Sequence, residues 1–288
     1  MKRLIKTIIL LGITAYILYY VNDRYNLVEW VVEMNAAFNH DNPDAFIGQL
    51  REAMLEGKKH VTLTYVGKSN DLDWFTEEAV DMVYTIDDKD SSSDYDYLKY
   101  KTESIASHIV GLGNIMTITY DFSYNETKSE TDEVDKKIRN LFRKWKIEKL
   151  SDYQKIKKIH DYIINNASYD TSLQYYSAYD NLINKSSTCQ GYMSLAYKML
   201  TEAGVPCRII SGTAGKESHG WNIVMLEEKW YNLDCTWDDP ITWDGEELLV
   251  YDYFLKSEED FEDHVRDKEY RTEEFHQEYT MGMKSYEH

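Results

Sequence analysis

Residues 190–235 contain one apolar helix followed directly by three short β-rich runs. Of all features of the sequence, this order of elements most restricts the possible folds of the chain. The helix begins at Gln190, carries apolar residues at helical spacing up to Leu200, and is ended by Gly204 and Pro206. Strand-like runs occupy residues 207–211, 221–226 and 230–235, with turns at residues 212–218 and 227–229. Because short turns join strands in antiparallel pairs, the pattern predicts a helix packed on an antiparallel sheet.

The sequence before residue 129 predicts a separate, smaller α+β module. Val61–Val66 alternates with the period of a half-buried strand, Ile115–Tyr120 is a second β-rich run, and Trp74–Val83 has the pattern of a short amphipathic helix. The polar stretch Asp87–Asp96 is typical of an exposed turn or loop. We therefore expect three parts: an N-terminal segment at residues 1–22, the module at residues 23–128 and the main domain at residues 129–288.

Two helices are predicted at the start of the main domain. One has its apolar residues on a single face: Val134, Ile138, Leu141 and Trp145. Ser151 and Gln154 then have the spacing of a capping box, and isoleucines at helical intervals follow them. The fold class of the chain is therefore predicted to be α+β.

An apolar run from Leu4 to Val21 is interrupted only by Lys6 and follows Lys2 and Arg3. Its length suits the apolar region of a secretory signal, but no small residues for cleavage follow it. Positive charges on the short flank favour a cytoplasmic N-terminus with the rest of the chain exported. We expect an uncleaved signal anchor, hence a single-pass protein of the cell membrane whose domains are extracytoplasmic. The alternative is a buried helix of a soluble protein.

The chain is acidic, with a net charge of −19 over 288 residues. An acidic surface repels phosphate backbones and anionic lipid headgroups. We therefore expect no nucleic-acid partner, and no membrane contact beyond the N-terminal anchor. A partner with a basic or neutral surface, such as a protein or peptide substrate, fits this charge.

Cys189, Cys207 and Cys235 are an odd number of cysteines, with no C-x-x-C pair and no histidine at metal-ligand spacing near them. A disulfide framework, a metal site or another cofactor is therefore not expected. Cys207 lies in an apolar run and is predicted to be a core residue. Cys235 follows Asp234 on a predicted strand, so its side chain should point to the opposite face and pack inward.

Cys189 stands at the predicted N-terminus of the main helix. Unpaired N–H groups and the helix dipole favour a thiolate there, and the thiolate is the nucleophilic form of cysteine. A cysteine nucleophile also needs an imidazole as base and an acceptor that orients the imidazole. His219 begins one predicted strand and Asp234 ends the next, so an antiparallel pair can put them side by side. The three residues form a candidate catalytic triad.

The motifs that surround this triad extend over about residues 150–265. They are Thr188–Tyr192, His219–Asn222, Trp230–Asp234, Thr236–Pro240, His160–Tyr162, Tyr169–Asp170 and Tyr251–Leu255. Together they resemble the bacterial transglutaminase-like superfamily. The resemblance implies a papain-like core in which Cys189 is the nucleophile, His219 the general base and then acid, and Asp234 the orienting carboxylate. Gly220 and Ser187–Thr188 depart from the usual pattern, which bears on the width of the cleft.

Other side chains near the triad are candidates for the rest of the cleft. Four are possible cleft-lining residues, although the tryptophans are as often core: Gln190, Tyr179, Trp221 and Trp237. The backbone N–H of Cys189 is expected to bind the oxyanion. The second oxyanion donor stays open among three residues: Gln174, Tyr179 and Gln190.

Two further features of the sequence are predicted to be structural and not part of the active site. His160, on a predicted helix, is expected to be a hydrogen-bonded structural histidine and not a second base. The acidic stretch Glu258–Glu274 is predicted to be a solvated helical surface and not a metal site.

Two classes of function remain open. The leading one is a thiol enzyme that transfers an acyl group from a peptide or amide carbonyl, through a thioester, to an amine or to water. The fold does not distinguish crosslinking, deamidation and proteolysis. The alternative is a catalytically silent, surface-displayed binding or scaffolding domain of the same fold. The intact triad favours the enzyme.

Overall fold

The computed structural model describes residues 39–40, 43–66, 73–85, 95–112, 115–241 and 248–287. The predicted membrane anchor within residues 1–22 lies outside these ranges. Among the helices that fall inside them, none is both long enough and apolar enough to cross a membrane.

The first sheet lies in the N-terminal part of the chain and has the strand order β1-β2-β4-β3. Its strands are β1 (Asn39–His40), β2 (His60–Val66), β3 (Thr102–Leu112) and β4 (Ile115–Tyr124). β1 runs parallel to β2, whereas β4 pairs antiparallel with both β2 and β3. The two strands predicted from alternation and β-branched residues, near residues 61–66 and 115–120, are therefore confirmed.

Helices pack against this sheet around an aromatic core. α1 (Pro43–Leu55) contributes buried Phe46 and Leu50. The helix predicted over residues 74–83 is present in two parts, a π-helical turn (Trp74–Glu78) that continues into α2 (Ala79–Val83). Tyr120 of β4 is fully buried, and its hydroxyl donates to the carbonyl of Phe75 at 2.7 Å.

A helix stands where the sequence predicted the end of an exposed loop. Residues 87–94 of that stretch lie outside the described ranges, but α3 (Tyr95–Lys101) follows directly and buries Asp96. The Asp96 carboxylate accepts hydrogen bonds from Arg208 Nε at 2.6 Å and from the Ile209 N–H at 3.0 Å. A carboxylate can be buried when its charge is met in this way. The exposed-loop prediction is therefore wrong for Asp96, which ties α3 to the second sheet.

Two long helices follow the first sheet, α4 (Lys128–Trp145) and α5 (Asp152–Asn166). The predicted capping box of Ser151 and Gln154 is confirmed, and Thr127 and Glu130 form a second one at the start of α4. The predicted apolar face of α4 packs into the main core, with Val134 and Ile138 buried.

The main domain has a helix on an antiparallel sheet, as predicted. After two short strands, β5 (Ser168–Tyr169) and β6 (Ser186–Ser187), come α6 (Cys189–Glu202), β7 (Cys207–Ala214), β8 (Glu217–Leu226), β9 (Lys229–Leu233) and β10 (His264–Arg266). The sheet order is β10-β7-β8-β9, with every pair antiparallel. α6 packs across β7 and β8 and is buried along most of its length.

The turn predicted at residues 212–218 is shorter than expected. β7 runs to Ala214 and β8 begins at Glu217, which leaves Gly215 and Lys216 as the turn. Gly212 is a strand residue, and a Cβ atom at that position would lie 2.1 Å from the carbonyl oxygen of Val265. The glycine therefore allows β10 to approach β7 closely.

The stretch Glu258–Glu274 is not the solvated helical surface that its charge predicted. It contains β10 and a 3₁₀ turn (Lys268–Arg271), and it buries Phe261, His264 and Tyr270. Three-residue strands are too short to show alternation, and charged neighbours hide the buried positions. A helix, α7 (Glu273–Glu278), starts only at the end of the stretch.

The buried Asp96–Arg208 pair generates a stability prediction. Asp96→Ala leaves the Arg208 guanidinium uncompensated in the interior, so we expect the free energy of unfolding to fall by about 3–5 kcal/mol. Urea denaturation of wild type and variant measures this difference.

Glu269→Ala is the matched control, because it removes the exposed ion pair with Lys99, which also lies on α3. Exposed pairs contribute at most about 1 kcal/mol. Equal losses in the two variants would contradict the importance given to the buried pair.

Candidate active site

Cys189 is the first residue of α6. Thr188 is the N-cap with extended backbone angles, φ −77 and ψ 178, so the helix dipole and the free N–H groups of the first turn begin at the cysteine. Cys189 is half-buried, whereas Cys207 and Cys235 are fully buried in the core, as predicted. Burial raises the pKa of both core thiols well above the usual value. Cys189 is therefore the cysteine placed for chemistry.

The second sheet brings His219 and Asp234 together, although not as directly opposed residues. Asn222 pairs with Leu233, so His219 and Asp234 lie on a diagonal of the β8–β9 pair. His219 Nε2 and Asp234 Oδ2 are 2.6 Å apart, and both side chains are buried. The diagonal distance is within reach of an imidazole ring.

Cys189 reaches the same imidazole from α6. It acts on His219 through a side-chain hydrogen bond and through its charge, and the two residues line one pocket. The three residue types that a thiol nucleophile requires therefore meet in one place.

The electrostatics of the pair favour the charged forms of both residues. Burial alone lowers the pKa of His219, but the hydrogen bond and charge of Asp234, together with Cys189, outweigh it and raise the pKa to about 10. Burial would raise the pKa of Asp234, but the two histidines that donate to it hold the pKa well below its usual range. His219 is therefore an imidazolium near neutral pH.

The Asp234 carboxylate is fully occupied by donors. Oδ1 accepts from the backbone N–H groups of Thr236 at 2.8 Å and Trp237 at 3.2 Å. Oδ2 accepts from His219 and also from His264 Nε2 at 3.0 Å. Four N–H groups thus meet one buried charge, which is how a buried carboxylate becomes tolerable.

The sequence analysis missed His264. Its side chain is fully buried on β10, and its Nδ1 lies 2.8 Å from Asp263 Oδ1. The acidic neighbours made its segment read as solvent-exposed. The one available signal was the Asp263–His264 dipeptide between Phe261 and Val265, which places a histidine among apolar residues.

His219, Asp234 and His264 also offer three atoms that a metal ion could bind, all within 4.8 Å of one another. Tetrahedral zinc with bonds of about 2.1 Å needs ligand atoms about 3.4 Å apart. The 2.6 Å between His219 and Asp234 is a hydrogen-bond distance instead. This spacing suits a shared proton and not two ligands of one metal ion.

The pocket around Cys189 encloses about 210 Å³. Its described lining is Tyr169, Cys189, Ala214, Glu217, Ser218, His219, Thr236, Trp237, Asp239 and Ile241. Of the four residues predicted to line the cleft, Trp237 is in this set. Trp221 is instead a core residue, and its indole N–H donates to Asn232 Oδ1 at 3.2 Å.

The side chains considered as second oxyanion donors are engaged elsewhere. Gln190 Nε2 donates to the carbonyl of Tyr100 at 2.7 Å, and Gln174 Nε2 donates to that of Ser172 at 3.3 Å. Tyr179 lies beside Glu126, which accepts its backbone N–H at 3.0 Å. None of the three belongs to the described lining of the pocket, whereas Tyr169 and Trp237, which also carry donor hydrogens, do.

His160 has the structural surroundings that were expected for it. It is fully buried, with Nε2 at 3.0 Å from Asp238 Oδ2 and Nδ1 at 3.2 Å from Asp161 Oδ1. Gly220, one of the departures from the family pattern, lies under α6, where a Cβ atom would meet Met193 Sδ at 2.4 Å. The glycine therefore lets the Cys189 helix pack closely on β8.

Comparisons with known proteins agree with the residues that build this site. Residues 139–235 match the family model of the transglutaminase-like superfamily. The human kyphoscoliosis peptidase is 29% identical over 140 residues, which are 41% of this chain and 21% of that protein. The chain thus spans about a fifth of the length of this relative.

Two solved structures show weaker overall likeness. The crystal structure of a TGase has 14% identity and a TM-score of 0.34, over 68% of this chain and 58% of that chain. A candidate cysteine protease from Cytophaga hutchinsonii has 15% identity and a TM-score of 0.33, over 51% of this chain and 65% of that chain. The assignment therefore rests on the family match, which spans Cys189, His219 and Asp234. The transglutaminase-like superfamily is therefore the family that residues 139–235 of this chain match.

Proposed function

We propose that the protein is a thiol enzyme that transfers an acyl group from a peptide or amide carbonyl, through a Cys189 thioester, to an amine or to water. The observation that carries the proposal is the Cys189–His219 contact in a shared pocket, with Asp234 bound 2.6 Å behind the imidazole. A merely structural cysteine has no need of an imidazolium or a solvent-facing pocket.

The first half of the reaction forms the thioester. The Cys189 thiolate attacks the carbonyl carbon of the substrate, and the carbonyl oxygen becomes an oxyanion held by the Cys189 N–H at the start of α6. His219 then donates its proton to the leaving nitrogen, and the C–N bond breaks. The amine leaves, and the acyl group stays on Cys189.

The second half releases the acyl group. His219, now neutral, takes a proton from an incoming amine or water as that nucleophile attacks the thioester carbonyl. The C–S bond breaks, the thiolate returns, and His219 again carries its proton. Attack by a lysine amine gives a crosslink, whereas attack by water gives deamidation or peptide cleavage.

Charge favours a protein or peptide substrate with basic groups near the reacting bond. The described lining of the pocket holds two acidic side chains, Glu217 and Asp239, beside the triad. The chain as a whole has a net charge of −19. Acidic surroundings attract cationic partners and increase their rate of encounter.

The proposed location is the outer face of a cell membrane. Its support is the sequence alone: the apolar run Leu4–Val21 and the lysines and arginine that precede or interrupt it. Protease treatment of intact cells tests this, because an exported domain is cleaved and a cytoplasmic domain is protected.

The nucleophile can be tested without a known substrate. Iodoacetamide near neutral pH is expected to label Cys189 rapidly, and His219→Ala should slow that labelling, because it removes the imidazolium that pairs with the thiolate. The same variant should reduce turnover at least about 10²-fold, because it removes the general acid and base. Cys189→Ala and Cys189→Ser should abolish turnover of peptide and amine mixtures, followed by mass spectrometry. Slow labelling of Cys189 in the wild type, at the rate of an ordinary thiol, would favour a binding domain without turnover.

The two oxygens of Asp234 generate a second prediction. Asp234→Asn would be a mild change at a carboxylate that meets a single donor, because an amide oxygen still accepts a hydrogen bond. In this structure each carboxylate oxygen of Asp234 accepts from two N–H donors. In either orientation of the asparagine amide, its NH₂ group would therefore face two N–H donors and find no acceptor. We therefore expect Asp234→Asn to reduce Cys189 labelling as severely as Asp234→Ala. Thermal melts of both variants separate loss of reactivity from loss of fold.

The protonation of His219 makes stability depend on pH. A group whose pKa is raised on folding stabilises the protein fully below its unfolded pKa, and this contribution is lost as the pH rises through the folded pKa. For His219 the interval runs from 6.5 to about 10. The free energy of unfolding that wild type gains over His219→Ala should therefore be largest near pH 6 and shrink up to about pH 10.

Urea denaturation between pH 6 and pH 10 measures this difference, and the packing lost in the variant is the same at every pH. Asp234 acts in the opposite direction, since its pKa is lowered from 3.8, but that contribution is lost only at acidic pH. A difference that grows between pH 6 and pH 10 would contradict the ion pair.

A further inference from the structure

We propose that His264 is a positioning residue of the active site, which donates its Nε2–H to the same Asp234 oxygen that binds His219 and thereby fixes that carboxylate against His219. The importance of this contact for catalysis rests on the proposed function, whereas the contact itself does not. His264 lies outside the segment that matches the family, residues 139–235.

The geometry places His264 between two carboxylates. Its Nε2 is 3.0 Å from Asp234 Oδ2, and its Nδ1 is 2.8 Å from Asp263 Oδ1. Carboxylate oxygens accept hydrogen bonds and do not donate them, so in the contact with Asp234 the Nε2–H of His264 is the donor. Donors and acceptors therefore alternate along a row of side chains: Asp263, His264, Asp234 and His219.

Packing prevents the His264 ring from leaving this position. Phe261 stacks on it at 4.0 Å between ring centroids, and Trp237 packs edge-on at 4.7 Å. Tyr253 donates its hydroxyl to Asp263 Oδ2 at 2.7 Å, which fixes the carboxylate that holds Nδ1. Because the His264 ring is fixed by these contacts, its hydrogen bond also fixes the position of the Asp234 carboxylate.

Because His264 also binds Asp234, the attraction between the Asp234 carboxylate and the proton of His219 is changed. An acceptor oxygen that serves two imidazoles attracts the proton of each less strongly than it would attract one alone. His264 therefore orients the carboxylate and also leaves His219 able to release its proton, which acyl transfer requires when the leaving nitrogen departs. The other titratable groups that face His219 or line its pocket are Tyr169, Cys189, Glu217 and Asp239.

His160 provides a matched control for His264. It is also fully buried between two aspartates, with its Nε2 likewise 3.0 Å from a carboxylate oxygen. It also packs on aromatic rings, those of Tyr251 and Phe254. The difference is that its acceptor, Asp238, does not bind His219.

The test follows the titration of His219 by NMR in protein labelled with ¹⁵N-histidine. All variants carry Cys189→Ala, which removes the thiolate and leaves Asp234 as the titratable side chain hydrogen-bonded to the ring. His264→Phe keeps a ring in the aromatic cluster but donates nothing, so we expect the midpoint of His219 to rise by about one pH unit. His160→Phe should leave the midpoint where it is in the parent.

His264→Gln adds a second variant that keeps one N–H donor but no ring. A positioning role predicts a smaller rise than in His264→Phe, whereas a purely packing role predicts no rise in either. If His264→Phe does not fold, the His264→Gln titration decides alone, by a rise or its absence. An unchanged midpoint, or an equal rise in His160→Phe, overturns the proposal.

A separate arm distinguishes this proposal from the proposed function. The chain with Cys189 intact is treated with p-nitrophenyl acetate, and acetylation of Cys189 is followed by mass spectrometry. No acetylation together with a shifted His219 midpoint would reject the thiol enzyme and retain the role of His264. Rapid acetylation and turnover with an unshifted midpoint would do the reverse.

Discussion

The interior of the main domain is organised around a single buried charge, the carboxylate of Asp234. Such a charge is tolerable only when donors surround it, and here the donors come from the loop after β9, from β8 and from β10. Their directions fix where each of these segments lies. The imidazole of His219 is thereby held facing α6, which carries Cys189 at its first turn. The chemistry of the pocket is a consequence of how this charge is satisfied.

Buried carboxylates that accept several hydrogen bonds also connect the N-terminal part of the chain to the main domain. Asp96 of α3 binds Arg208 and the Ile209 N–H of β7. Glu126, which precedes α4, accepts from Thr131 at 2.7 Å and from the Tyr179 N–H at 3.0 Å. Both carboxylates are nearly inaccessible to solvent. Hydrogen bonds to buried carboxylates are directional, so they help to fix how the bonded segments lie against one another.

Sequence reasoning located the features that depend on local periodicity and on spacing. The α6 helix, the β7–β9 meander and the capping box at Ser151 follow from such patterns. Features that depend on distant partners were missed. Asp96 and His264 sit in acidic stretches that look solvent-exposed until Arg208 and Asp234 are placed beside them. His219 and Asp234 were expected side by side, but the pairing of Asn222 with Leu233 makes them diagonal neighbours.

The position of β10 along the chain has a consequence for biosynthesis. α6 and β7–β9 leave the ribosome before His264 does, and a polypeptide folds progressively as it emerges. A nascent chain that ends before β10 has its thiol, its imidazole and their carboxylate, but one side of that carboxylate lacks its donor. The site therefore matures late in translation. A chain arrested or clipped ahead of β10 would carry an incompletely assembled centre.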